Sequence, residues 1–179
     1  MSDTDFSTLD HKLSEAIDPA RPLLPPGMEP AEPAYRWLLT TQLLLTWLPF
    51  LVGALVIDNV VLADKPVQGV LSTIVGVLMI AIVLFVPLRI YRRLGFKLDP
   101  HLLRVVRGWL FHTDTMVPFV RVQHLDVARR PLDKVFGTAS LVVHTAGTHN
   151  SIVTLPGLSP ERAAAMRDEI RAEIRTDWQ

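Results

Sequence analysis

The side chains with chemistry to offer are six histidines and several arginine and lysine clusters. His112 with Asp114, and His124 with Asp126, stand two residues apart, a spacing that puts both members on one face of a strand. His144 and His149 flank a turn over residues 145–148 and would approach one another across it. Two imidazoles fall short of the three or four ligands a metal site takes, so the pattern argues for polar strand surface and points to no metal or other cofactor. The sequence holds no nucleophile elbow, phosphate-cradling glycine loop, zinc-protease helix motif or calcium loop. It also holds no cysteine, which removes disulfides, thiolate metal sites and thiol nucleophiles together. Nothing in these patterns supports an enzyme.

The basic residues say more. Arg89, Arg92 and Arg93 follow directly on a long apolar run, where each basic side chain gains about 1 kcal/mol from anionic headgroups. Arg121, Arg129, Arg130 and Lys134 gather around a strand and the turn after it. That second group suits lipid headgroups if it faces a bilayer and an acidic partner if it faces sideways; on any other face it is simply solvated. A formal net charge of zero gives no global field for a polyanion, so no nucleic-acid partner is expected.

Two elements must position these groups. Residues 37–57 and 67–88 are uncharged apolar runs of 21 and 22 residues. At a rise of about 1.5 Å per residue each crosses the roughly 30 Å hydrocarbon core of a bilayer. A transmembrane hairpin over residues 35–93 is the expectation. A cleaved signal peptide competes for the first run, with Val61, Leu62 and Ala63 resembling a cleavage site, but the flank before it is acidic and the run is too long. Pro49 falls inside the first run and would bend it. Ser72 with Gly76, and Gly69 with Thr73, are small pairs that would let the second helix approach Gly53 and Ala54.

Orientation follows from lysine and arginine alone. The loop over residues 58–66 carries only Lys65, whereas Arg21 and Arg36 precede the first run and Arg89, Arg92, Arg93, Lys97, Arg104 and Arg107 follow the second. The chain is thus expected to be a multi-pass protein of the inner or plasma membrane with both termini cytoplasmic. Tyr35, Trp37 and Tyr91 would lie at one interface, with Trp37, Arg89, Tyr91, Arg92 and Arg93 as its anchors.

Before the hairpin, residues 1–34 carry six prolines between Pro19 and Pro33, which argues for a disordered cytoplasmic tail. Phe6, Leu9, Leu13 and Ile17 do share a helical face, with Ser7 and Asp10 as a capping box, but a helix so short is marginal alone.

After the hairpin, residues 94–179 read as a second domain. Short runs rich in branched and aromatic residues predict strands at 96–98, 102–107, 109–117, 120–128, 139–144 and 152–155. Between them stand Asp99-Pro100, Gly108, Arg130-Pro131, Gly137, Ala146-Gly147 and Pro156-Gly157. The apolar parity of the fourth run shifts after Val122, which predicts a bulge near Gln123 and His124. Ser159 as N-cap, Pro160 and Glu161 then open a helix over about 160–175, whose stripe of Ala163, Met166, Ile170 and Ile174 would lie on the sheet. The class is an α+β membrane protein: a two-helix hairpin, then a β-barrel or sandwich capped by a C-terminal helix.

Three stretches in this order, 102–110 (LLRVVRGWL), 117–127 (VPFVRVQHLDV) and 130–143 (RPLDKVFGTASLVV), resemble the bacterial pleckstrin-homology-like, membrane-flanked domain family and, with the hairpin, its YdbS-like branch. The resemblance runs over residues 37–174. It implies a seven-strand, one-helix PH-like domain on a two-helix anchor, commonly paired with a larger membrane protein bearing similar domains. No lipid-site motif of that family is matched here. Two functions stay open: a scaffold module that assembles with another integral membrane protein or with a second copy of itself, and a sensor of anionic lipid headgroups around Arg129 and Lys134.

Overall fold

The computed structural model describes residues 23–109, 111–146 and 152–176. Two long helices leave the rest of the molecule side by side: α1, Pro33–Val60, and α2, Val70–Arg92. Both are apolar around most of their circumference, and Leu45, Phe50, Val77, Ile80 and Phe85 point outward. Only 11% of each apolar window is buried within the chain. A core helix of a soluble protein hides such side chains, so these two must find their apolar surroundings in lipid. Each helix holds an internal proline, Pro49 and Pro87.

The hairpin is closed by a carboxylate. Asp58, near the end of α1 and 1% exposed, accepts a 2.7 Å hydrogen bond from the Ser72 amide in the first turn of α2. It satisfies one of the free N–H groups that every helix start presents and sets its charge against the positive end of the helix dipole. Gly69, at φ +83, turns the chain into α2 and accepts the Thr73 hydroxyl, so the helix starts three residues later than the apolar run suggests. The small pairs do not bring the two helices unusually close. A methyl group at Gly53 would meet nothing, and one at Gly76 only Leu51 at 3.8 Å.

Among the described residues the sheet domain holds seven strands, and the first of them precedes the hairpin. Strand β1, Glu29–Pro30, pairs antiparallel with β2, Gly95–Asp99, in the register Glu29 to Phe96 and Pro30 to Gly95. Strands β3, Leu102–Gly108, and β4, His112–Pro118, complete a sheet of order β1-β2-β3-β4. A 3-10 turn over Phe119–Arg121 leads to β5, Val122–Ala128, and a short helix α3, Pro131–Phe136, to β6, Ala139–Thr145. With β7, Ile152–Leu158, these form a second sheet of order β5-β6-β7. Helix α4, Pro160–Thr176, lies across β5 and β6 and buries Ala163, Met166 and Ile170. Its start is capped by the Ser159 hydroxyl, which accepts from the Arg162 amide at 3.2 Å.

This is the expected α+β class, with the expected bulge between Val122 and His124. Two readings need correction. Residues 23–34 were expected to be part of a disordered tail; instead the Leu23 amide bonds the Arg92 carbonyl at 2.6 Å, Ala31 is 2% exposed, and Glu29 grips the Arg162 guanidinium at 2.7 and 3.2 Å. Proline discourages regular structure but does not prevent a two-residue edge strand, where its missing N–H faces away from the ladder. The tail reading for residues 1–22 lies outside the described residues. The strand expected over 109–117 is β4, which begins at His112 rather than Trp109. Gly108 pairs with His112 where β3 turns back into β4, and a β-carbon at Gly108 would fall 2.8 Å from the Phe111 carbonyl oxygen.

Candidate functional site: the membrane-proximal collar

One continuous core joins the hairpin to the sheets. Ala31, Tyr35 and Leu38 from the start of α1, and Tyr91 and Leu94 from the end of α2, pack with Phe96, Val105, Leu141, Val143, Leu155 and Leu158. Helix α1 has 28 residues, about 42 Å, more than a bilayer core demands, and the surplus is the part that docks on the domain. Tyr91 is thus 6% exposed and belongs to the domain core, not to the lipid interface expected of it; Tyr35 is likewise buried. Trp37 is 56% exposed, with the Arg36 guanidinium 5.0 Å from its ring.

Around this junction run two grooves. One, of about 290 Å³, is lined by Leu23, Phe85, Leu88, Arg89, Arg92 and Arg93. It gathers the side chains of Arg89, Arg92 and Arg93 with Phe85 and Leu88 at the end of α2. The other, of about 260 Å³, lies between Tyr35, Leu38 and Gln42 of α1 and the region of Arg130, Pro131 and Leu132 at the start of α3.

The basic cluster predicted around Arg121 divides. Arg121 closes the 3-10 turn before β5, whereas Arg129 and Arg130 follow the end of that strand. Seven residues of extended chain, roughly 20 Å, separate them. Nearness in sequence along a strand is distance in space, and Arg121 drops out of the cluster. Arg129, Arg130 and Lys134 stay together, exposed, on a rigid support. Asp133, 5% exposed, accepts from the Arg130 amide at 2.9 Å and from the Thr138 hydroxyl at 2.9 Å, while Gly137 at φ +67 ends the helix.

The histidines meet differently from their sequence spacing. His124 and His144 are direct cross-strand partners, their rings 5.8 Å apart, and Asp126 lies 2.9 Å from His124 Nε2 and 3.5 Å from His144 Nε2. The signal for this was the bulge, which decides which residue of β5 faces His144. His149 lies outside the described residues. Among those described, no group of three or more acidic or imidazole side chains is arranged to hold a metal. Asp114 pairs across the sheet with Arg104, whose guanidinium hydrogen-bonds both carboxylate oxygens and holds the acid below the usual carboxylate range.

Residues 43–174, covering most of the hairpin and nearly all of the sheet domain, match the family model of the bacterial PH domain. The chain belongs to the bacterial PH domain family. A curated relative of this bacterial PH protein, the UPF0699 transmembrane protein YdbS of Bacillus subtilis (strain 168), is 32% identical over 104 residues. The match covers 58% of this chain and 64% of that protein, just under two thirds of its length. No solved structure matches this bacterial PH chain. Two lipid-exposed helices and a relative that is a transmembrane protein place it in a membrane.

Proposed function

We propose that this chain is a non-enzymatic scaffold that holds a PH-like domain in fixed orientation at the cytoplasmic face and assembles there with another integral membrane protein bearing similar domains. The observation that supports it most is the shared core: Tyr35, Leu38, Tyr91 and Leu94 make the hairpin and the sheets one body, so a partner gripping either part feels the orientation of both. The partner surface is the outer strand β4, exposed over most of its length with Met116 56% exposed, together with the outward face of the hairpin. An unpaired strand edge offers a ready ladder of donors and acceptors to a similar domain. The pairing of β1 with β2 keeps both flanks of the hairpin on one side. The arginine excess of those flanks favours the cytoplasm. Purification of the full chain in mild detergent tests the reading. A stoichiometric second membrane protein is the expected companion, and a lone monomer refutes it.

The groove beside Arg89, Arg92 and Arg93 favours a second reading, contact with anionic lipid headgroups. Arg129, Arg130 and Lys134 supply a further basic surface for that role. In vesicles, this reading predicts that thermal stabilisation of the full chain by phosphatidylglycerol weakens with salt and is lost when these arginines become glutamine.

A further inference from the structure

The hairpin tip between β3 and β4 carries Trp109 and Phe111, 48% and 80% exposed, with Arg107 just before them. Aromatic side chains left bare at a tight turn are out of place in water, and the register says what covers them. Strand β2 leaves α2 at Gly95, directly after the arginines that mark the headgroup level. Gly95 pairs with Val106, and β3 runs antiparallel to β2, back toward the point where the chain left the helix. Arg107 and Gly108 then carry β3 two residues, about 7 Å, past the level of Gly95 before the chain turns. One contact agrees: β3 lies against α2. The opposite end of the same sheet, where Leu102 pairs with Pro118 and the Phe119 amide bonds the His101 carbonyl, is the far end from the hairpin.

We infer that the Trp109 and Phe111 tip inserts into the bilayer interface as a third point of membrane contact, beside the two helices. Tryptophan and phenylalanine are suited to that depth, and Arg107 is placed to meet the phosphates above them. The two helices fix the domain's position; a third contact away from their axis fixes its tilt. The surface continues the level at which Trp37 and the α2 arginines are expected to meet the headgroups. The inference rests on membrane location alone and stands or falls separately from the choice of protein partner.

The absence of cysteine makes the test direct. In the full chain, Phe111→Cys, Met116→Cys and Val120→Cys each give one labelling site; these positions are 80%, 56% and 74% exposed and run from the near end of β4 to the far end. Each variant is labelled with a polarity-sensitive fluorophore and reconstituted alone in phosphatidylethanolamine and phosphatidylglycerol vesicles. Quenching is read from nitroxide lipids, with the nitroxide near the headgroup end of the acyl chain, and from aqueous iodide. The expected result is several-fold stronger lipid quenching at 111 than at 120, iodide protection at 111 only, and intermediate values at 116. Equal iodide access at 111 and 120 overturns the inference. So does protection at 111 without lipid quenching, which would mean a second protein chain covers the tip.

Discussion

Gly157, in the last strand of the sheet domain, lies flat against the ring of Tyr35 in the first turn of the first membrane helix. A β-carbon at Gly157 would fall 2.7 Å from Tyr35 Cγ and 3.1 Å from the Ala31 methyl. The Gly157 carbonyl also accepts the Glu32 amide at 2.7 Å, and its φ of +75 is one that side-chain-bearing residues resist. The glycine thus serves as the seat on which the membrane anchor rests.

Gly157→Ala should therefore destabilise the protein by about 1–3 kcal/mol, the cost usual for overpacking a tight contact. Thermal unfolding of the full chain in detergent measures it. Adding Tyr35→Ala removes the ring that the new methyl strikes, so the double variant should lose less than the sum of the two single losses. Strict additivity would show that the clash is not the cause.

A fragment that begins at Gly95 should fail to form a cooperative domain. It lacks β1 and strips Ala31, Tyr35, Leu38, Tyr91 and Leu94 from the core, leaving Phe96 and Leu158 uncovered. The expected outcome is dye binding, a broad unfolding transition and poorly dispersed amide resonances. A sharp, dye-free transition in that fragment would mean that the sheets stand without the hairpin.

Asp58→Ala should loosen the turn between the membrane helices, because the Ser72 amide loses its acceptor at a site shielded from water. Proteolysis of the 61–69 loop in reconstituted vesicles should accelerate several-fold. Gly53→Ala and Gly76→Ala serve as contrast and should leave that rate unchanged, since each methyl enters free or ordinary space.

Acid should remove the Arg104 to Asp114 contribution in a predictable direction. The guanidinium depresses the Asp114 carboxyl in the folded protein, so the unfolded chain takes up the proton first as pH falls. The contribution is complete above the ordinary aspartate value of about 3.9 and vanishes as pH drops through the lowered folded value. Melting midpoints of the wild type and Asp114→Asn should differ near neutrality and converge in acid, below the ordinary aspartate value of about 3.9. The gap should be small, because the side chains are 33% and 27% exposed. A gap that stays constant through that acid range would exclude the mechanism.

What the residues disclosed in advance, and what they hid, divide along the range of the interactions involved. The two membrane helices follow from their uncharged length, α4 from Ser159, Pro160 and its apolar stripe, and the bulge from the parity shift after Val122; all are local patterns. Strand β1 was hidden, since two residues in a proline-rich stretch become a strand only by pairing with Phe96 and Gly95 across the whole hairpin. Tyr91 carries the signature of an interfacial anchor, but its surroundings come from residues far away in sequence. Arg121 was grouped with Arg129 and Arg130 by proximity in sequence, which an extended strand converts into distance. The collar was thus half visible: its charges could be counted, but not the side on which each would stand.

Strands β1 and β2 are neighbours in the sheet and the entire membrane excursion lies between them. A ribosome making this protein therefore releases Glu29 and Pro30 long before their partners exist. The sheet cannot zip up until both rods have been threaded through the bilayer and Gly95 has come back. Translocation becomes a checkpoint on maturation: a nascent chain whose second rod stalls leaves β2 without its first neighbour, and quality control meets an unfinished edge rather than a finished domain in the wrong place.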